Sequence, residues 1–101
     1  MVHMQIVSRG GENLQGLLRE AIRNGKIKSF LVKHVRGGLV IQHRKYIGEI
    51  RFTRTTGPLI AALKCQNRSR EWQLLGALVG RLGYHFKNEI AGVNIQFEPE
   101  V

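Results

Sequence analysis

The sequence predicts an α+β fold, a two-layer sandwich in which two helices pack on one face of a mostly antiparallel sheet. Three observations support this prediction. Two segments repeat apolar residues at helical spacing, four short segments rich in Val, Ile, Phe, Thr and Leu lie between them, and an alternating segment, residues 92–98, follows. We therefore expect a four-strand meander plus a C-terminal strand, all within one domain of 101 residues.

The N-terminal region begins with a weak indication of secondary structure and continues with a strong indication of a helix. Residues 1–11 hold a short apolar run and then two adjacent glycines, which predicts a partly ordered arm or an edge strand. The first helix follows, and Asn24 and Gly25 end it in the manner of a left-handed helix stop. Its apolar residues recur every three or four positions, at Leu14, Leu17, Leu18, Ala21 and Ile22.

Short turns divide the following region into four strand candidates. These segments are residues 27–35, 39–46, 48–55 and 59–66. The third segment alternates clearly, with Ile50 and Phe52 on one face and Arg51 on the other. The first two segments alternate poorly, because each contains neighbouring apolar residues. We expect these strands to be covered on both faces, or the second face of the sheet to meet a partner.

The second helix is predicted over residues 67–86, where one stripe is apolar. The stripe consists of Leu75, Leu78, Val79, Leu82 and Phe86. Gly76, Gly80 and Gly83 follow each other at steps of four and three residues, so they lie on one side of the helix and allow another backbone to approach closely. That backbone is either the sheet beneath or the matching helix of a second copy, with Trp72 as an anchor. We therefore expect a homodimer.

The chain is strongly basic, and most of its excess charge lies in the meander. It contains 16 Lys and Arg against 7 Asp and Glu, which gives a net charge of +9 and a pI near 10.7. Residues 26–54 hold eight basic residues and one acidic residue, Glu49, and so +7 of that charge. Basic residues that neutralise phosphates supply affinity for nucleic acid. The alternatives are a solvated strand surface, or an acidic protein or other polyanion as the partner.

The nucleic-acid hypothesis names a specific set of contact residues. Tyr46 lies beside two basic residues at a turn and is the candidate for stacking on a base. Arg68 and Arg70 stand at the start of the second helix, where free backbone N–H groups favour an anion. Asn67 or Ser69 is expected to cap that helix. The main set is Lys28, Lys33, Arg36, Arg44, Lys45, Arg51 and Arg54.

Several function classes are disfavoured. The chain has no Asp, and its four His lack metal-ligand spacing, so we expect no metal site and no cofactor. The single cysteine, Cys65, excludes an intramolecular disulfide and is expected in the core, so we expect no catalysis. No segment approaches the roughly 20 apolar residues of a membrane span, and the N-terminus does not resemble a secretion signal. We therefore interpret the chain as a cytoplasmic, non-enzymatic nucleic-acid-binding module, with a homo-oligomeric protein-interaction or assembly module as the alternative.

Overall fold

The computed structural model describes residues 1–35 and 38–99 of the chain. In this part, one strand and one helix are followed by four strands, a second helix and a last strand. A 3₁₀ turn, Arg68–Arg70, leads directly into the second helix. The elements are β1 (Val2–Ser8), α1 (Leu14–Arg23), β2 (Phe30–Val35), β3 (Gly38–His43), β4 (Glu49–Thr53), β5 (Leu59–Lys64), α2 (Glu71–Phe86) and β6 (Ile90–Phe97).

The six strands form one sheet in the order β2-β3-β4-β5-β1-β6, and every neighbouring pair is antiparallel. The α+β class and the antiparallel sheet are confirmed, with six strands in place of five. The expectation of an arm or an edge strand in residues 1–11 is wrong, because β1 lies between β5 and β6. The physical reason is that Val2, Met4 and Ile6 are at most 1% exposed, and a strand with neighbours on both sides buries such residues most completely.

The meander is confirmed, since β2, β3, β4 and β5 are successive neighbours in the sheet. However, β2 begins at Phe30, whereas residue 27 was the expected start. Ile27 belongs instead to the turn after α1, where its backbone N–H donates to the Ala21 carbonyl (3.0 Å) and its side chain is buried. Gly25 allows this turn because it adopts φ +85°, a left-handed conformation that strains residues with a Cβ.

Buried apolar side chains from both helices and from one face of the sheet form a single core cluster. Residues directly opposite each other in antiparallel strands point to the same face, so the core face can be followed in rows across the strands. One row consists of Val32, Ile41, Ile50, Leu63, Val2 and Phe97. Its four central members are fully buried, whereas Phe97 on β6 is 63% exposed. The core therefore leaves the edge strand β6 partly open.

Helix α2 presents one side to the core and its glycines to the outside. The buried side chains of α2 are Leu74, Leu75, Leu78 and Leu82. Gly76, Gly80 and Gly83, together called the glycine strip, are exposed, and a Cβ added at any of them would meet nothing within 4 Å. The sheet is therefore not the backbone that approaches this strip, and that expectation is wrong. Three-residue and four-residue steps place the strip on one side of α2, but that side is turned away from the leucines.

Candidate nucleic-acid interface

The face of the sheet opposite the core, called the outer face, is covered by neither described helix. The residues of this face on β2–β5 include Lys and Arg and are together called the charged half. Those on β1 and β6, including Gln5, Asn94 and Gln96, form the amide half. The middle row of the outer face runs through Lys33, Val40, Arg51, Ala62, His3 and Gln96. Among the described residues of this face, Lys and Arg therefore lie on one side of the sheet only.

Lys33 and Arg51 stand on either side of Val40, one strand away in each direction. Both charged residues are exposed. Their backbones are about 10 Å apart, twice the usual spacing between strands. Val40, between them, is fully buried although no described helix covers it. The two charged groups therefore stand exposed on the strands that flank one buried apolar residue.

A carboxylate only partly offsets this charge. Glu49 Oε2 lies 3.9 Å from Lys33 Nζ, and the two side chains are 33% and 58% exposed. Such an ion pair contributes little stability, because solvent screens it. Lys64 lies directly opposite Glu49, on β5, and is exposed. In the described strands, the charged half thus holds Lys33, Arg51 and Lys64 around one carboxylate.

Lys28, Arg44 and Lys45 lie at the end of the sheet where β2 begins and β3 ends. The backbone N–H of Arg44 donates to the Ser29 carbonyl (2.9 Å), which extends the pairing of β2 with β3. Its Nε donates to the Lys28 carbonyl (2.6 Å). This bond fixes the guanidinium while using one of its five N–H groups, so its terminal nitrogens suit a phosphate. These residues extend the charged half around the end of the sheet.

Tyr46 and His43 stack on each other at the same turn, with ring centres 4.6 Å apart. His43 Nδ1 accepts hydrogen bonds from the backbone N–H groups of Lys45 (3.0 Å) and Tyr46 (3.1 Å). The ring is therefore neutral and carries its proton on Nε2. Burial, followed by the positive charges of Arg81 and Lys45, lowers the pKa of His43 below the ordinary value of 6.5. The turn holds Tyr46 on the core side, packed against the core cluster, in a fixed orientation.

Two of the remaining predicted contact residues, Arg54 and Arg70, lie outside the charged half. Arg54 follows β4 at the opposite end of the sheet, in a pocket beside the start of α1. Arg70 is exposed at the N-cap of α2 and makes no side-chain cap. Asn67 Oδ1 instead organises the preceding turn by accepting from the backbone N–H (3.1 Å) and hydroxyl (2.6 Å) of Ser69. Outside the described part of the chain lie Arg36 and the side chain of Arg68.

The structure also contains a groove that the sequence did not reveal. The groove, called the aromatic groove, lies between α2 and the end of β3 and has a volume of about 420 Å³. Its aromatic residues are Tyr46, His43 and Trp72, and its polar residues include Ser29, Gln73 and Arg81. These residues come from three separate segments of the chain, so no local spacing signals the groove. In the sequence, the available signal for the groove was an isolated Trp with basic residues nearby.

The structure also shows the surroundings of the single cysteine, the grouping of possible metal ligands and the character of the helices. Cys65 is buried and its thiol donates to the Ile47 carbonyl (3.2 Å), as expected for a core cysteine. Within residues 1–35 and 38–99, no three His, Cys, Asp or Glu side chains are grouped so as to hold a metal ion. No helix in that part of the chain has the length and apolar character needed to cross a membrane. Comparison with known protein families, curated proteins and solved structures finds no match.

Proposed function

We propose that the protein binds nucleic acid, chiefly through phosphate groups, and that the charged half of the outer face is its main contact surface. The observation that carries this proposal is the pair Lys33 and Arg51, exposed side by side over the buried Val40. Cations that neutralise phosphates release condensed counterions, which supplies affinity without contacts to the bases. In this proposal the protein is a cytoplasmic binding module that catalyses no reaction.

The arrangement of the charges suits an extended phosphodiester backbone. Lys33 and Arg51 lie in one row of the outer face, and Lys64 lies in the next row, two residues further along the strands. Neighbouring rows are about 7 Å apart. Arg44 and Lys45 continue the positive surface at the end of β3. A nucleic-acid backbone that crosses β2–β5 therefore meets Lys33 on β2, Arg51 on β4 and Lys64 on β5. Such contacts position the ligand without reading its sequence.

Salt titration of binding to a labelled single-stranded oligonucleotide tests this proposal. We expect the logarithm of the association constant to fall linearly with the logarithm of salt, with a slope of about 0.7 per contacted phosphate. Replacing both Lys33→Glu and Arg51→Glu should weaken binding at least tenfold. The control is Lys26→Glu with Lys87→Glu, which changes net charge equally at exposed lysines outside the charged half. Equal losses from the two double variants would show that net charge alone matters.

We propose a homodimer, as an assembly or protein-interaction module, as the second candidate function. The observation that favours it is the open edge strand β6, which spans eight residues and pairs with β1 on one side only. Val93 and Phe97 are 36% and 63% exposed on its core face. Antiparallel pairing of β6 with its copy across a two-fold axis would bury both side chains. The interface predicted from the sequence, Trp72 with the glycine strip, stays a prediction.

Sedimentation equilibrium separates these two dimer surfaces. If β6 pairs with its copy, Phe97→Glu should give a monomer, because the pairing would bury two unpaired carboxylates. If the helices meet through the glycine strip, Gly80→Leu should give a monomer, because a bulky side chain prevents close approach. A wild-type protein that stays monomeric at every concentration would contradict the dimer in both forms.

A further inference from the structure

We infer that the aromatic groove binds one unpaired nucleobase, so that the protein prefers single-stranded nucleic acid to a duplex. The inference rests on the proposed function and deepens it, because it names the kind of nucleic acid and a second contact site. The groove is of suitable size, since its volume of about 420 Å³ falls within the range of small-molecule sites, about 300–1,000 Å³. It contains aromatic surface, polar groups without partners, and positive charge.

The aromatic surface comes from both sides of the groove. Trp72 is 65% exposed, so its indole is largely uncovered. Gly76 lies one turn further along α2, and a Cβ there would meet nothing within 4 Å, so this residue leaves space beside the indole. Tyr46, from the turn after β3, stacks on the ring of His43, which also lines the groove. Aromatic rings stack on bases of any sequence, because every base has a π face.

Two polar groups in the groove lack partners. Ser29 Oγ and Gln73 Oε1 are buried and make no hydrogen bond in the described part of the chain. Such atoms are rare in folded proteins, since leaving them unpaired is costly. A Ser hydroxyl donates and accepts, and a Gln amide presents a carbonyl beside an NH2 group. The exposed edge of an unpaired base presents donors and acceptors in the same way. Gln73 lines the groove and is only half-buried, so its side chain has room to rotate toward a base.

The charge around the groove favours a nucleotide over a neutral aromatic molecule. Arg81 lines the groove, and Lys45 Nζ lies 5.7 Å from the centre of the Tyr46 ring. None of the described residues that line the groove is acidic. Arg44 directly follows His43 of the groove lining and is exposed at the end of β3. A strand bound on the outer face can therefore pass around the end of β3 and place one base in the groove.

The same arrangement disfavours a duplex. In double-stranded nucleic acid each base is paired and stacked, and an enzyme or binding protein reaches its face only by extruding the nucleotide at a cost. A single strand needs no such step. The charged half on its own makes no distinction, because phosphates are present in both forms. Preference for the single strand is therefore a property of the groove.

Binding to three probes tests the inference: oligothymidylate, an abasic strand with the same number of phosphates, and a duplex of the same length. Trp72 is the single tryptophan of the chain, so its fluorescence reports occupation of the groove directly. The test variant is Gly76→Leu, whose side chain fills the groove. The matched control is Gly80→Leu, one turn further along α2 and outside the groove lining. Both substitutions favour the helix, because Leu has a higher helix propensity than Gly.

We expect oligothymidylate to quench Trp72 fluorescence and to bind the wild type about tenfold more tightly than the abasic strand, within the range for one stacked base. The duplex should bind like the abasic strand. Gly76→Leu should remove the preference for oligothymidylate, and Gly80→Leu should retain it. If circular dichroism shows that Gly76→Leu is unfolded, Trp72→Ala takes its place in a fluorescence-anisotropy measurement and should also lose the preference.

The results that would contradict the inference distinguish base binding in the groove from phosphate binding on the outer face. Equal binding of oligothymidylate and the abasic strand by the wild type, or an unchanged preference in Gly76→Leu, overturns the groove inference and leaves phosphate binding by the charged half in place. Failure to bind any probe overturns both. Quenching of Trp72 by thymidine monophosphate without binding of either strand supports the groove and overturns the outer face as a phosphate-binding surface.

Discussion

The two halves of the outer face belong to one continuous sheet but differ in chemistry. The charged half presents Lys33, Arg51 and Lys64 around a single Glu49. In the row of Lys33 and Arg51 the amide half presents His3 and Gln96, and in the neighbouring row it presents Gln5 opposite Asn94. Backbone pairing is the same in both halves, so the difference is not required by the fold. If the basic residues served solubility alone, nothing would restrict them to β2–β5 and keep them off β1.

In the proposed function, the two halves serve different contacts. The charged half would attract a polyanion and fix the direction from which it approaches. The amide half ends at the open edge of β6, where unpaired backbone groups and exposed apolar side chains are available to another strand. Each of the following predictions tests this division, and they are ordered from the largest expected effect to the smallest.

The largest expected difference is in the free energy of unfolding, and it concerns the side chains on the core face beneath the two halves. Phe52, under the charged half, is 1% exposed, whereas Phe97, on β6, is 63% exposed. Phe52→Ala should lower the free energy of unfolding by about 3–5 kcal/mol, because it removes a buried ring and leaves a cavity. Phe97→Ala should cost less than about 1 kcal/mol, as for most surface substitutions. Urea unfolding at a concentration where the protein is monomeric measures both values, and a loss for Phe97→Ala comparable to that for Phe52→Ala would contradict an exposed Phe97 on β6.

The glycine strip is a second open surface, and its substitution should stabilise the protein. Ala at Gly76, Gly80 or Gly83 enters open space, because nothing lies within 4 Å of the added Cβ. Each Gly→Ala change should raise the free energy of unfolding by about 0.5–1 kcal/mol through helix propensity. Thermal unfolding measures the gain. A loss of stability at Gly80 or Gly83 would instead show that another backbone packs on the strip.

Lowering the pH should reduce the free energy of unfolding in two separate pH ranges, one for a group at the end of each half. The pKa of His43, at the end of the charged half, is lowered mainly by burial, so the unfolded chain binds a proton more readily than the folded one. The free energy of unfolding should therefore fall as the pH drops below 6.5. The pKa of Glu98, beside the amide half, is lowered mainly by its hydrogen bond with His3, so its stabilising effect should be lost as the pH falls below 4.5.

Urea unfolding over a pH series, with His43→Asn as the test variant, checks this assignment. The Asn side-chain oxygen can accept the backbone N–H bonds of Lys45 and Tyr46 but does not titrate. The pH dependence just below 6.5 should disappear in this variant, while the dependence below 4.5 should remain. An unchanged dependence below 6.5 would assign it to another group.

The sequence predicts the fold where the signals are local. Turn residues separate the strands of the meander, and Asn24 with Gly25 marks the end of α1, so these features agree with the structure. The position of β1 depends on pairing with β5 and β6, which both lie in the second half of the chain, and no local pattern encodes such pairing. The alternation of Val2, Met4 and Ile6 was the available signal for a strand with a buried face.

The candidate site shows the same limit. The sequence identifies the basic residues, but composition does not tell that Lys33 and Arg51 share a face while Arg54 lies at the far end of the sheet. Those positions follow from strand register, which fixes the face of every side chain. The aromatic groove depends in turn on how α2 crosses the end of β3. It therefore brings together Tyr46 and Trp72, which belong to different segments.

The salt dependence of binding, compared between two double variants, tests the central claim most directly. Lys33→Gln with Arg51→Gln removes two charges from the charged half, and Gln5→Glu with Gln96→Glu lowers the net charge equally in the amide half. The first variant should reduce the salt slope for a single strand by about 1.4, which corresponds to two lost phosphate contacts. The second should leave the slope unchanged. Equal slopes in the two variants would contradict a phosphate-binding surface confined to the charged half.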